Sequence, residues 1–163
     1  MKTRAEIVKD LPINARVLEL GVAAGRFAVD MLTVNPFIHY TGVDRWNDHH
    51  DDLERISAEA WIKDKSPDAI IIKSTFKDAL SQFDDNTFDL IYIDGYAHTG
   101  QDNGETLDDW YPKLKPNGIF SGHDYCEKYQ PTIDAVNSFT YKHNLILNII
   151  RDGDHPSWWV FKA

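Results

Sequence analysis

The sequence predicts one doubly wound α/β domain, and three observations carry that expectation. Short apolar or β-branched runs alternate with amphipathic stretches along the chain. A glycine-bounded turn, Gly21-Val22-Ala23-Ala24-Gly25, follows the first of those runs, and the residues able to do chemistry gather just after the runs rather than within them. At 163 residues there is length for one well-buried core, so residues 1–163 are expected to form a single domain with residues 1–15 as an N-terminal helix or lid.

Each element has its own signal. Thr3-Arg4-Ala5-Glu6 has capping-box spacing ahead of Ile7 and Val8, and Pro12 closes the short helix this predicts. Arg16-Val17-Leu18-Glu19-Leu20 reads as a buried strand; after the glycine turn, Phe27, Ala28, Met31 and Leu32 recur at helical spacing until Asn35-Pro36. Tyr40-Thr41-Gly42-Val43 predicts a second strand ending at Asp44, with Asn47 or Asp48 capping a helix that turns Leu53, Ile56 and Ala60 inward. Ala69 to Ile72 reads as a third strand, followed by Ser74 or Thr75 as the cap of a helix carrying Phe76, Ala79, Leu80 and Phe83.

Phe88 to Ile93 is the fourth strand, ending at Asp94-Gly95, and a polar stretch from Ala97 to Glu105 leads into a helix around Leu107 and Trp110. Lys115-Pro116-Asn117-Gly118 reads as a turn, Ile119 to Gly122 as strand five ending at His123-Asp124, and Pro131 as the first residue of a helix carrying Ile133, Val136 and Phe139. Leu145 to Ile150 and Trp158 to Phe161 close the sheet as two strands around a polar turn. The sum is a mostly parallel sheet of about seven strands, with helices on both faces and an antiparallel C-terminal strand.

Composition narrows the function. Hydrophobic residues at 42% and charged residues at 26% are a globular balance, not a disordered one. A net charge of -9, with 17 Lys and Arg residues that form no basic stripe, argues against nucleic acid as a partner. The single cysteine, Cys126, allows neither an intrachain disulfide nor a cysteine-based zinc site. No secretory pattern or membrane-length apolar run is present, so a cytoplasmic protein with a small-molecule partner and no membrane partner is expected. Trp158-Trp159 read as one core and one edge residue, the second of which could mark a contact in a homo-oligomer.

The turn after the first strand lets backbone approach a ligand. A dinucleotide fingerprint would need a third glycine and no acid just ahead of the turn, yet Glu19 stands two residues before Gly21 and Ala23 holds the middle position. An acid before the turn suits a cofactor with a cationic amino-acid end, and an acid at the second strand end, here Asp44, suits ribose hydroxyls.

With those residues in register, the chain resembles class I S-adenosylmethionine methyltransferases, whose first motif is E/D-x-G-x-G-x-G. It is most similar to small-molecule O-methyltransferases related to sugar and antibiotic-tailoring enzymes. That likeness lies in Ile93-Asp94-Gly95 with a nearby His98, in Trp110-Tyr111-Pro112-Lys113-Leu114-Lys115-Pro116-Asn117-Gly118, and in Gly122-His123-Asp124-Tyr125. Two departures stand out: His98 is one residue later than the Asp-Gly-x-His spacing, and Asn117 replaces a glycine.

The resemblance implies a Rossmann-like fold and S-adenosylmethionine as cofactor, held by Glu19, Gly21 and Asp44 with Ser74 or Thr75 near the adenine. Ala23, Gly25, Arg45 and Asp94 complete the candidate cofactor set, and Trp46 could flank the adenine. It also implies Mg2+ or another divalent cation at Asp94 and Asp124, with His123 as a third ligand. Without metal, His123 or His98 is the candidate general base, since histidine titrates near neutrality. A non-catalytic cofactor-binding accessory protein and a nicotinamide-dependent oxidoreductase are the alternatives, the second disfavoured by the glycine pattern.

Overall fold

In Arg16–Leu20 (β1), every residue after Arg16 is buried, the pattern of a central strand covered on both faces. In the computed structural model, which describes residues 1–163, β1 lies in the middle of a seven-stranded sheet. The strands are β2 His39–Asp44, β3 Ile70–Lys73, β4 Phe88–Ile93, β5 Leu114–Gly122, β6 Asn148–Ile150 and β7 Ser157–Phe161. Their order is β3-β2-β1-β4-β5-β7-β6. The first five run parallel, whereas β7 is antiparallel to both β5 and β6.

Side-chain alternation divides the core in two. Val17 packs with Phe27, Ala28, Met31, Ile62 and Tyr92 on one face, under α1 (Arg26–Val34) and α2 (Asp52–Lys65). Leu18 and Leu20 pack with Phe76, Leu107, Trp110, Val136 and Phe139 on the other, under α3 (Phe76–Ala79), α4 (Glu105–Trp110) and α5 (Gln130–Lys142). Trp158 is fully buried and Trp159 half-buried, stacked edge-on against the exposed Phe161. No helix is long and apolar enough to cross a membrane.

Local detail departs from the sequence reading at several places, among them β6, which starts only at Asn148, and α3, which ends at Ala79 ahead of a separate tight turn through Leu80. The N-terminal helix is a single tight turn, Arg4–Val8, with no side-chain bond from Thr3; the Glu6 carboxylate instead accepts from the N–H of Lys2 at 2.8 Å. Its apolar side, Ala5, Ile7 and Val8, is buried in the core beside α1. The cap of α2 is Asp51, which accepts from the N–H of Glu54, and neither Asn47 nor Asp48 takes that place. Ala58 and Ile62 face inward against Gly25, and Leu53 and Ile56 are 74% and 55% exposed. Ala60 is exposed as well.

The turn at residues 115–118 is absorbed into β5 as an irregularity. Leu114 pairs with Phe88 and Ile119 with Leu90, and Asn117 takes a left-handed φ of 63° where a glycine is usual. Finally, the polar stretch before α4 winds through left-handed backbone from Gly100 to Gly104, with Gln101, Asp102 and Asn103 all at φ between 52° and 56°.

The register of α2 has a direct check. Ile62→Ala should cost about 2–5 kcal/mol in urea unfolding, the price of a cavity beneath Gly25, whereas Leu53→Ala and Ile56→Ala should stay within about 0.5 kcal/mol. Equal losses at Leu53 and Ile62 would mean the helix is turned the other way.

Candidate active site

Gly21 leaves β1 at the point where successive connections depart to opposite sides of the sheet, the usual place for a crevice in this architecture. Its N–H donates to the carbonyl of Val43 at 2.9 Å, and the N–H of Asp94 donates to the carbonyl of Leu20 at 2.7 Å, tying the turn to β2 and β4 together. With φ at 100°, a Cβ at Gly21 would lie 1.9 Å from the carbonyl oxygen of Asp94, so only glycine fits.

Asp44 then clamps the loop. One carboxylate oxygen accepts from the N–H of Ala23 at 2.9 Å and the other from the N–H of Trp46 at 3.0 Å. Ala23 is held left-handed at φ 46°, a strain of about 1 kcal/mol that the clamp sustains. Trp46 closes the underside: it is 2% exposed, and its indole N–H donates to the carbonyl of Ala23 at 3.0 Å. Gly25 points away from the ligand side, and Ala58 of α2 lies 3.1 Å from where its Cβ would be.

Above this loop opens a cleft of about 590 Å³, ample for a nucleoside-sized cofactor. Glu19, Gly21, Ala23 and Asp44 line its floor, Arg45, Ser74 and Thr75 one wall, and Asp94, His98 and Asp124 the other. Trp46, Gly25 and His123 do not line it. For Trp46 this corrects the expectation of an adenine-flanking ring, because burial under the loop satisfies its indole N–H there.

Glu19 is 1% exposed and receives the Tyr40 hydroxyl at 2.5 Å. Burial pushes its carboxyl up to about 8, and the hydrogen bond from Tyr40 only partly opposes this. Asp94, His123 and Asp124 lie at the ends of β4 and β5, their candidate ligand atoms all within 4.8 Å of one another. His123 Nδ1 is 3.2 Å from Asp124 and 3.5 Å from Asp94. Burial alone would lower its pKa, but the bonds to Asp124 and Asp94 prevail and raise it to about 9. His123 is therefore a proton-carrying cation between two carboxylates at neutral pH, and its proton must leave before it can act as ligand or base.

The chain matches the family described as methyltransferase domain over residues 18–125. It belongs to that family. The cofactor of the family is S-adenosylmethionine, which sets aside the nicotinamide-linked alternative. Among curated proteins, protein arginine N-methyltransferase 2 of Eremothecium gossypii is 34% identical over 121 residues, 72% of this chain; the chain spans 28% of that enzyme's length. A Corynebacterium glutamicum protein superposes with a TM-score of 0.75 at 14% identity, over 98% of this chain and 80% of its own. A precorrin-6Y C5,15-methyltransferase of Geobacter metallireducens gives a TM-score of 0.73 at 12% identity, over 98% and 86%. At such identities these structures establish the fold alone.

In this methyltransferase domain, two residues by the cleft escaped the sequence reading besides Tyr129 on its lining. His155, in the turn before β7, sits with Nδ1 3.5 Å from Asp124 and its ring edge-on to His123. Arg4 reaches the cleft from the N-terminal turn, its guanidinium 4.6 Å above the Phe27 ring and 3.6 Å from Asp94. Neither belongs to a motif, and both arrive by packing of segments far apart in the chain. His98 is exposed at the rim, edge-on to Tyr129 at 4.9 Å.

Two outcomes are expected. Gly21→Ala should cost on the order of 3 kcal/mol in urea unfolding, because its methyl meets backbone, while Ala23→Gly should shift stability by less than about 1 kcal/mol. Stability should also fall as pH rises. Glu19 titrates near 8 in the folded chain against an ordinary 4.5, and His123 near 9 against 6.5, so the unfolded chain releases both protons first. The Glu19 contribution is complete below 4.5 and lost through about 8; that of His123 is complete below 6.5 and lost through about 9. Melting curves of His123→Gln should lose the alkaline half of this decline and those of Glu19→Gln the acid half.

Proposed function

We propose that this chain is an S-adenosylmethionine-dependent methyltransferase that transfers the methyl group to the hydroxyl of a small acceptor such as a sugar or secondary metabolite, with a divalent cation assisting. The observation that carries the reading is the placement of Asp94, His123 and Asp124 at two adjacent strand ends, beside the cleft built on the glycine turn. The cleft supports a cationic donor: Asp44, Asp48, Asp94 and Asp124 bring four carboxylates to its lining, with the protonated Glu19 carboxyl among them.

When bound, the donor supplies an electrophilic methyl group, and a hard cation such as Mg2+ supplies a Lewis acid that lowers the pKa of a coordinated hydroxyl. The chain's own residues do the rest. Asp44 and the turn position the nucleoside, Glu19 and Asp94 face the cationic amino-acid end, and the walls hold the acceptor in line for displacement. Asp94 and Asp124 would hold the cation through oxygen, and His123 would join after yielding its proton. Tyr129 and His98 form an aromatic rim where an acceptor ring can rest.

A second reading takes a nitrogen acceptor. It draws on the likeness to a protein arginine N-methyltransferase and on the same excess of carboxyl groups, which would attract an amine or guanidine directly. The two separate by calorimetry and turnover. Titration with S-adenosylhomocysteine should give binding that Asp44→Ala weakens and Asp124→Ala spares, while Mg2+ or Mn2+ should bind the wild type and not Asp124→Ala. Turnover of hydroxyl acceptors that survives a chelator would sink the metal-assisted reading. Turnover confined to amines would favour the second, and donor binding without turnover of either would favour the accessory role.

A further inference from the structure

The cleft that suits a sulfonium and an ammonium is hostile to the third charge on the donor, its carboxylate. Four aspartates and the protonated Glu19 line it, and of its three arginines two are drawn off to the rim or solvent. Arg45 is 44% exposed at the rim and already bonded twice to Asp48, at 3.0 and 2.9 Å, and Arg26 is exposed. Arg4 is the one recessed arginine of the lining.

The Arg4 guanidinium is held in place with donors to spare. Ala5, Ile7 and Val8 bury the turn that carries it, the Asp152 carboxylate accepts its backbone N–H at 2.5 Å, and the Phe27 ring supports its plane from below. Nη1 is enclosed by protein and forms a long ion pair with Asp94 at 3.6 Å, so the 28% of the side chain that stays exposed on the cleft leaves the remaining guanidinium N–H groups to meet a ligand. One long ion pair leaves most of the five N–H donors of a guanidinium free, and a planar carboxylate is the group whose geometry matches them.

We propose that Arg4 binds the carboxylate of the donor's amino-acid end and so selects S-adenosylmethionine over adenosyl thioethers that lack it. This rests on the donor assignment above and adds to it a residue outside every motif of the family. The N-terminal turn is then a wall of the donor site, and Asp94 stands between the carboxylate-binding cation on one side and His123 on the other.

The test is calorimetric titration of wild type, Arg4→Gln and Arg4→Lys with S-adenosylhomocysteine and with 5′-methylthioadenosine, which keeps the nucleoside and sulfur but has no amino-acid end. Arg4→Gln should weaken S-adenosylhomocysteine by about 10- to 100-fold and leave 5′-methylthioadenosine unchanged, with Arg4→Lys in between. Equal losses for both ligands, or none for either, would overturn the assignment. A ligand-side comparison needs no variant: wild type should bind S-adenosylhomocysteine more tightly than its decarboxylated analogue, and equal affinities overturn the role of Arg4 alone. Failure of all these adenosyl compounds to bind wild type would instead remove the donor reading and this one together.

Discussion

The site is organised around the close approach of Gly21 to the carbonyl of Asp94. A Cβ would meet that oxygen at 1.9 Å, so the absence of a side chain lets the turn after β1 lie directly against the end of β4. Because β4 lies between β1 and β5, that contact also sets the separation between the glycine turn and the acidic cluster on the far side. The Asp44 clamp fixes the same turn from the β2 side through Ala23 and Trp46. A loop pinned at both edges needs little rearrangement to receive a ligand, and preorganisation of this kind reduces what binding must spend on ordering.

The electrostatics follow from the same crowding. Parallel strand ends bring acidic residues from β1, β2, β4 and β5 within one cleft, and the fold meets that concentration in different ways. Glu19 keeps a proton because burial makes its ionised form expensive. Asp44 is satisfied by backbone N–H groups, while Asp94 and Asp124 share the His123 imidazolium. Under the metal-assisted reading proposed above, a cation would compete with the His123 proton for the position between these two carboxylates.

How much could be read beforehand varied with the range of the interaction. β1, β4, the helix after the turn, and the residue types at the strand ends follow from local periodicity and glycine chemistry, so their positions agree closely with the sequence reading. The inward face of α2 did not, because Leu53, Ile56 and Ala60 have helical spacing as good as that of Ala58 and Ile62. What decides between the faces is the bare backbone of Gly25, which admits Ala58 and Ile62 at close range. Trp46 likewise has the residue type of a ligand-stacking ring, but the carbonyl of Ala23 gives its indole N–H a partner only beneath the loop.

By itself the sequence determined the fold class, the strand order's functional end, and a set of acids and histidines placed just after strands, since these depend on residue periodicity and on glycines that no other residue can replace. Only the tertiary structure decided which of them meet. It brought Arg4 and His155, from opposite ends of the chain, to Asp94 and Asp124, and it sent Trp46 and Gly25 to packing roles. The physical reason is that such meetings are made by long-range packing against the sheet, and neither spacing nor composition records them.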